Sequence, residues 1–171
     1  MEWLCRLTKV GKMEEVLPPQ TEEGAGYERT RVPQFTIFLE NRVGRLNSLV
    51  RLLEAHVGVI NALSIEESAD SALVRVICSN PNGGRAALKE AGFSFSETDV
   101  LAVELPKGSH KPLASICTAL LSAEINIHGA YPLLARPHGP ALALYVDDPT
   151  LAARILIRKG FTIISEADLK L

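Results

Sequence analysis

Residues 80–93 read NPNGGRAALKEAGF, and residues 148–161 read DPTLAARILIRKGF. Asn80-Pro81 and Asp148-Pro149 open the two stretches, Gly92-Phe93 and Gly160-Phe161 close them, and all four positions recur at one offset of 68 residues. The pattern has a physical meaning. Asn80 and Asp148 are N-cap residues, and Pro81 and Pro149 suit the first helical position. Gly92 and Gly160 supply the left-handed conformation that ends a helix. Leu88 and Leu156 share the same offset inside the helices. Gly83-Gly84 lowers helix propensity in the first copy, so its helix is expected to start late.

Working outward, a longer helix precedes each stretch. Leu46, Leu49, Val50, Leu53 and Val57 follow helical spacing, as do Leu113, Ile116, Cys117, Leu120 and Leu121. Leu46 and Leu113, Leu49 and Ile116, and Leu53 and Leu120 are each 67 residues apart. The remaining apolar segments read as strands: Gln34–Glu40, Val59–Ile65, Ala72–Cys78 and Phe93–Ser96 in the first copy. Val100–Leu105, Ile125–Leu134, Ala141–Val146 and Phe161–Ile164 follow in the second. Glu66–Asp70 and Arg136–Pro140 read as hairpin turns. Each copy is therefore β-α-β-β-α-β, the ferredoxin-like order. The fold class expected is α+β, with two such units packed side by side over residues 34–98 and 99–171. Residues 1–33, rich in Pro, Gly and Glu over 18–31, read as an extension and linker.

Composition narrows the function. Of the 171 residues, 47% are hydrophobic and 22% charged, the balance of a globular chain. A net charge of −2, a pI near 6.1 and 5% aromatic residues argue against a nucleic-acid or acidic-membrane partner. The N-terminus lacks the apolar stretch of a secretory signal, and no apolar run reaches membrane-span length. Cys5, Cys78 and Cys117 have no metal or redox spacing. Reduced cysteines and a cytoplasmic location are the expectation.

Between the first strand and first helix stands Glu40-Asn41-Arg42-Val43-Gly44-Arg45-Leu46. It resembles the N-x-P-G-x-L loop of ACT domains, small-molecule-binding regulatory modules, and the similarity continues through the helix into Asn61-Ala62-Leu63-Ser64-Ile65. With both copies counted, it covers about Gln34 to Leu171, as in a stand-alone tandem ACT protein. The loop's physics stands apart from the resemblance. A glycine lets a ligand approach backbone, a helix N-terminus suits a carboxylate, and an asparagine donates and accepts. The resemblance implies a ligand, usually an amino acid, held where this loop faces the second strand of an adjacent unit. It nominates Asn41, Val43, Gly44, Arg45 and Leu46, with Asn61 and Leu63 across the interface.

Each nomination has a plainer counterpart. Asn41 is also a turn residue, Leu46 a core residue, Arg42 and Arg45 surface charges, and Asn61 an edge-strand position. Val43 replaces the family's proline, which leaves the loop less rigid. In the second copy Lys111-Pro112 replaces the glycine, and Gly108 lies earlier. The second unit instead offers His128 and Tyr131, aligned with Asn61 and Ser64 at the 67 offset, as polar-tipped rings for a shared pocket.

The sequence thus points to a non-catalytic sensor or adaptor. It would bind a small effector without a cofactor or metal, pair as a homodimer through sheet edges, and act on a regulated partner that the sequence does not name. A ligand-free structural adaptor is the alternative. A small acylphosphatase-like hydrolase using Arg42 or Arg45 is a more distant one, since its Gly-rich phosphate loop is missing.

Overall fold

A computed structural model describes residues 30–67, 71–106, 108, 111–134 and 139–170. The expectations for residues 1–29, for Ser68–Asp70 and Arg136–His138 of the hairpin turns, and for Lys107, Ser109 and His110 of the second loop lie outside the described residues. In chain order the elements are β1 (Arg31–Glu40), α1 (Arg45–Val57), β2 (Ile60–Glu67), β3 (Ser71–Cys78), α2 (Pro81–Glu90) and β4 (Ser94–Glu104). Then come α3 (Pro112–Leu121), β5 (Ile127–Pro132), β6 (Ala141–Val146), α4 (Pro149–Arg158), β7 (Thr162–Ile164) and a 3₁₀ turn at Glu166–Leu169.

The repeat is visible in its caps. Asn80 Oδ1 accepts from Gly83 N at 3.1 Å, and Asp148 Oδ1 from Leu151 N at 2.9 Å. At the other ends, Gly92 and Gly160 both have positive φ. Phe93 N donates to Leu88 O and Phe161 N to Leu156 O, the same six-to-one closure in both copies. The first copy does not start late: α2 begins at Pro81. Its glycines are there for close approach. A Cβ on Gly83 would lie 2.6 Å from His56 O, and one on Gly84 3.3 Å from Phe35 and Val57.

All seven strands form one antiparallel sheet in the order β2-β3-β1-β4-β6-β5, with β7 also on β4. The strands expected at Phe93–Ser96 and Val100–Leu105 are a single strand, β4. Its first part, Ser94–Leu101, pairs with β1, and Leu101–Glu104 pairs with β6 on one edge and β7 on the other. One strand is thus the last of the first ferredoxin-like unit and the first of the second. Glu97-Thr98-Asp99 stay extended because β1 begins at Arg31 and supplies partners for them. Arg31–Pro33 therefore lie in β1. Pro33, which has no N–H, sits where β1 is paired only with β4.

Three apolar cores result. Phe35, Ile37 and Leu39 meet Leu49, Leu53 and Leu88 under α1 and α2, and Leu101 and Val103 meet Ile116, Leu120 and Leu156 under α3 and α4. The third core lies on the sheet's other face and draws on both units: Val32, Ala62 and Ile77 from the first, Val100 and Ala102 of β4, and Tyr131, Ala143 and Leu169 from the second. The sheet curls around this core, and Leu134 N donates to Asn61 O at 2.7 Å where β2 and β5 approach. Small residues allow the curl. The Tyr131 hydroxyl donates to Gln34 Oε1 at 2.6 Å, and both residues are buried.

Two predictions follow from these ties. Tyr131→Phe leaves the buried Gln34 carbonyl oxygen without its donor, so urea unfolding should show a loss of about 1–3 kcal/mol. Adding Gln34→Leu should recover part of it. The second concerns α2 and β4, which Arg85 and Glu97 join in a two-pronged ion pair, Arg85 Nε to Glu97 Oε2 at 2.8 Å. That hydrogen bond from Arg85 holds the Glu97 carboxyl below its ordinary value. Its stabilisation is complete above the unfolded-state pKa and is lost as pH falls through the depressed folded value. Glu97→Gln should remove this acid-side slope from a stability-versus-pH profile.

Candidate functional site

The loop Glu40–Gly44 turns the chain from β1 into α1. Arg42 N donates to Glu40 O at 2.8 Å, Arg45 N to Arg42 O at 3.2 Å, and Ser48 bonds Gly44 O through both its N–H and its hydroxyl. Gly44 is the N-cap of α1, with φ of 89°, and no side chain caps the helix there. A Cβ on Gly44 would meet nothing within 4 Å. The glycine is therefore required by its left-handed backbone and not by a close approach within the chain.

Beside the loop is a cleft of about 160 Å³. Leu39, Leu46, Ile65, Ala72 and Val74 give it an apolar floor, and Glu40, Asn41, Arg42, Arg45 and Glu67 surround it with both signs of charge. Across it, Asn41 Nδ2 donates to Glu67 Oε1 at 2.7 Å. Arg42 Nε lies 3.4 Å from Glu40 Oε2. Arg45 lies with its guanidinium carbon 5.6 Å from the centre of the Phe93 ring, a cation–π contact that fixes one side of the cleft. Carboxylate, guanidinium, amide and apolar floor within one small cleft suit a zwitterion with a short side chain. At about 160 Å³, the cleft is below the few hundred Å³ typical of drug-sized ligand sites.

The nine nominated residues do not converge here. Asn41, Arg45 and Leu46 line the cleft, and Gly44 shapes its loop. Val43 is fully exposed and lines no part of it. Asn61 lies at the far end of β2 from Glu67, six residues away, or about 20 Å along an extended strand. It is buried, donating from Nδ2 to Leu169 O at 3.2 Å, while its Oδ1 has no partner. Leu63 packs into the core under α1 and α2. Tyr131 belongs to the third core on Gln34, where burial raises its hydroxyl pKa. His128 packs against the Tyr145 ring at 5.2 Å. Asn61 and Tyr131 thus join the two units instead of facing the first loop.

Leu39, Glu40, Arg42, Ala72 and Val74 also line the cleft without having been nominated, and Glu67 and Ile65 are the two lining residues on β2 that sequence reading missed. The segment from Glu66 on reads as a turn, whereas β2 runs to Glu67. Alternation along β2 puts Leu63, Ile65 and Glu67 on one face, and that signal locates them.

The second unit has a different opening. Pro106, Lys111, Ala114, Ser115, Thr118, Ser122, Lys159 and Phe161 line a groove of about 580 Å³ along α3. Ser115 and Ser122 hydroxyls are turned onto the carbonyls of Lys111 and Ala119. Phe161 is the repeat counterpart of Phe93, whose ring lies under Arg45 in the first unit. Among the described residues, no cluster of three His, Cys, Asp or Glu is arranged for a metal, and no helix is long and apolar enough to cross a membrane.

Similar folds occur in solved structures. Protein BT0572 from Bacteroides thetaiotaomicron superimposes with a TM-score of 0.73 at 27% identity, covering 82% of this chain and 96% of that one. The ligand-free regulatory subunit of aspartate kinase from Thermus thermophilus matches with a TM-score of 0.51 at 10% identity, over 75% of this chain and 91% of that one. The second likeness is one of fold alone. No curated protein matches the sequence. Residues 30–171 match the model of the ACT domain pair, so the chain belongs to the ACT domain pair family, whose role is regulatory ligand binding.

Proposed function

We propose that this chain is a non-catalytic sensor of a small amino acid, bound in the cleft between the Asn41–Arg45 loop and the ends of β2 and β3. The observation that carries the reading is the Asn41–Glu67 hydrogen bond spanning a cleft with an apolar floor. The ligand's ammonium replaces the Asn41 amide on the Glu67 carboxylate, because a bond ionised on both sides is stronger than one whose donor is neutral. Its carboxylate takes the Arg45 guanidinium and the uncapped start of α1. A short apolar side chain lies on Leu46, Ile65 and Val74.

Binding at this place has a route to a response. The cleft joins the β1–α1 loop to β2 and β3, so a ligand that bridges them favours one placement of the loop against these strands. A partner that reads that arrangement responds through a population shift. Membership of the ACT domain pair family supports a regulatory reading. Two groups that could serve as nucleophiles are held inert. The Cys78 thiol is buried and its pKa is pushed up to about 12, so it is protonated at neutral pH. The Tyr131 hydroxyl is buried and engaged with Gln34.

Calorimetry of the full chain against the proteinogenic amino acids tests this. One small aliphatic member should bind, and at about 100 times its dissociation constant it should add about 2.7 kcal/mol of apparent stability. Arg45→Ala and Glu67→Gln should each weaken it at least tenfold, about 1.4 kcal/mol, while Lys111→Ala leaves it unchanged. Silence across the whole panel would favour a ligand-free adaptor. Binding indifferent to Arg45 and Glu67 would move the site elsewhere.

A further inference from the structure

Charge is segregated along this chain. Its balance is acidic overall, yet residues 105–123 and 149–165, which carry α3 and α4, contain no Asp or Glu and hold Lys107, Lys111, Arg154, Arg158 and Lys159. The corresponding stretches of the first unit, 38–56 and 81–97, hold Glu40, Glu54, Glu90 and Glu97 among their basic residues. Lys111, Arg158 and Lys159 are exposed, and among the described residues they take part in no ion pair. Between α3 and the end of α4, openings of about 580 and 400 Å³ share Ser122 and Lys159 and form one groove, with no carboxylate in its lining. Leu121, 75% exposed, and Ile157, 41% exposed, adjoin the groove residues Ser122 and Arg158 in sequence. The second unit therefore presents a basic surface with an apolar middle.

We propose that this surface is the docking site of the chain's own acidic segment, residues 13–28, which lies outside the described residues. Glu14-Glu15 and Glu22-Glu23 pair with Lys111, Arg158 and Lys159, and Val16-Leu17 lie in the groove. Three features select that occupant. The first is charge: residues 13–28 contain five glutamates and no Lys or Arg. On the first unit the same segment would meet Glu40, Glu54, Glu90 and Glu97 and be repelled. The second is attachment. Arg31 Nη2 donates to Thr150 Oγ1 at 2.6 Å, so the chain enters β1 beside the first turn of α4, the helix that leads to Arg158 and Lys159. The third is reach. Glu22 and Glu23 precede Thr30 by eight and seven residues, which span up to about 25 Å when extended. From Thr150 to Lys159 the helix rises only about 14 Å.

Exposed ion pairs are individually weak. The short connection offsets this, because it holds the segment near its surface at an effective concentration that a free peptide lacks. The proposal goes beyond the ligand reading and does not rest on it, since no amino acid enters the assay.

The test uses the full chain. Trp3 is its only tryptophan, so Trp3→Phe with Leu17→Trp makes the segment its own reporter. The emission of this reporter should lie to the blue of free tryptophan, and the shift should be the same from low to high micromolar concentration. It should be lost in 1 M salt, which screens the ion pairs without a further substitution. Arg158→Glu with Lys159→Glu, both at exposed positions, should also abolish it. Adding Glu22→Lys and Glu23→Lys to that pair should recover most of the shift, whereas Arg51→Glu on α1 should leave the reporter unchanged. Four results would each overturn the proposal: emission like that of free tryptophan, a shift that survives both salt and charge reversal, no recovery in the charge-swapped chain, or a shift that grows with protein concentration, which would place the segment on a second copy.

Discussion

Everything in this fold depends on Leu101–Val103 of β4, which is buried on both faces and paired on both edges. Leu101 and Val103 point under the helices of the second unit, while Val100 and Ala102 point into the core that both units share. A strand with two buried faces carries no polar alternation, and Val100–Val103 is a continuous apolar run. Because this one strand serves both units, neither unit has a complete sheet without the other. Two units of about 70 residues, each marginal in core size, become one body with three cores.

Sharing β4 also decides where the two units are polar toward each other. The sheet curls until β2 and β5 approach, and the contact is closed by Tyr131 on Gln34, by Leu134 on Asn61 and by Asn61 on Leu169. Ala62, Ala102, Ala141 and Ala143 keep that inner core thin. Large side chains there would open the curl. Asn61 and Tyr131 are thereby used as fastenings of the fold, while Asn41, Arg45 and Glu67 line the cleft at the opposite end of β2.

How much of this was legible in the sequence follows from the range of the interactions. The caps at Asn80, Asp148, Gly92 and Gly160 are local chemistry, and the 67–68-residue repeat made the fold class and helices readable. The fusion of two expected strands into β4 was not readable, because Glu97-Thr98-Asp99 are polar and become a strand only through pairing with β1. The same holds for Gly83-Gly84, whose helix is set by packing on α1 and not by propensity. At the candidate site the loop was legible from its glycine and asparagine. Glu67 was not, since a charged residue beside a turn looks like part of the turn until the strand is seen to reach it.

The asymmetry between the repeats is the last step. Duplication gives two equal copies, yet their helix surfaces and loops have diverged in opposite senses. The first unit keeps a left-handed glycine before its helix, charges on the helix surface, and Arg45 stacked on Phe93. The second has Lys111-Pro112 before its helix, no charge on that helix, and an open groove beside Phe161. A charged, half-closed cleft is suited to a small polar ligand, because each charge has a partner to exchange. An uncharged helix face is suited to another protein surface, because its burial releases water and strands no charge. One chain therefore carries a charged cleft and an uncharged helix face on opposite halves of a single sheet.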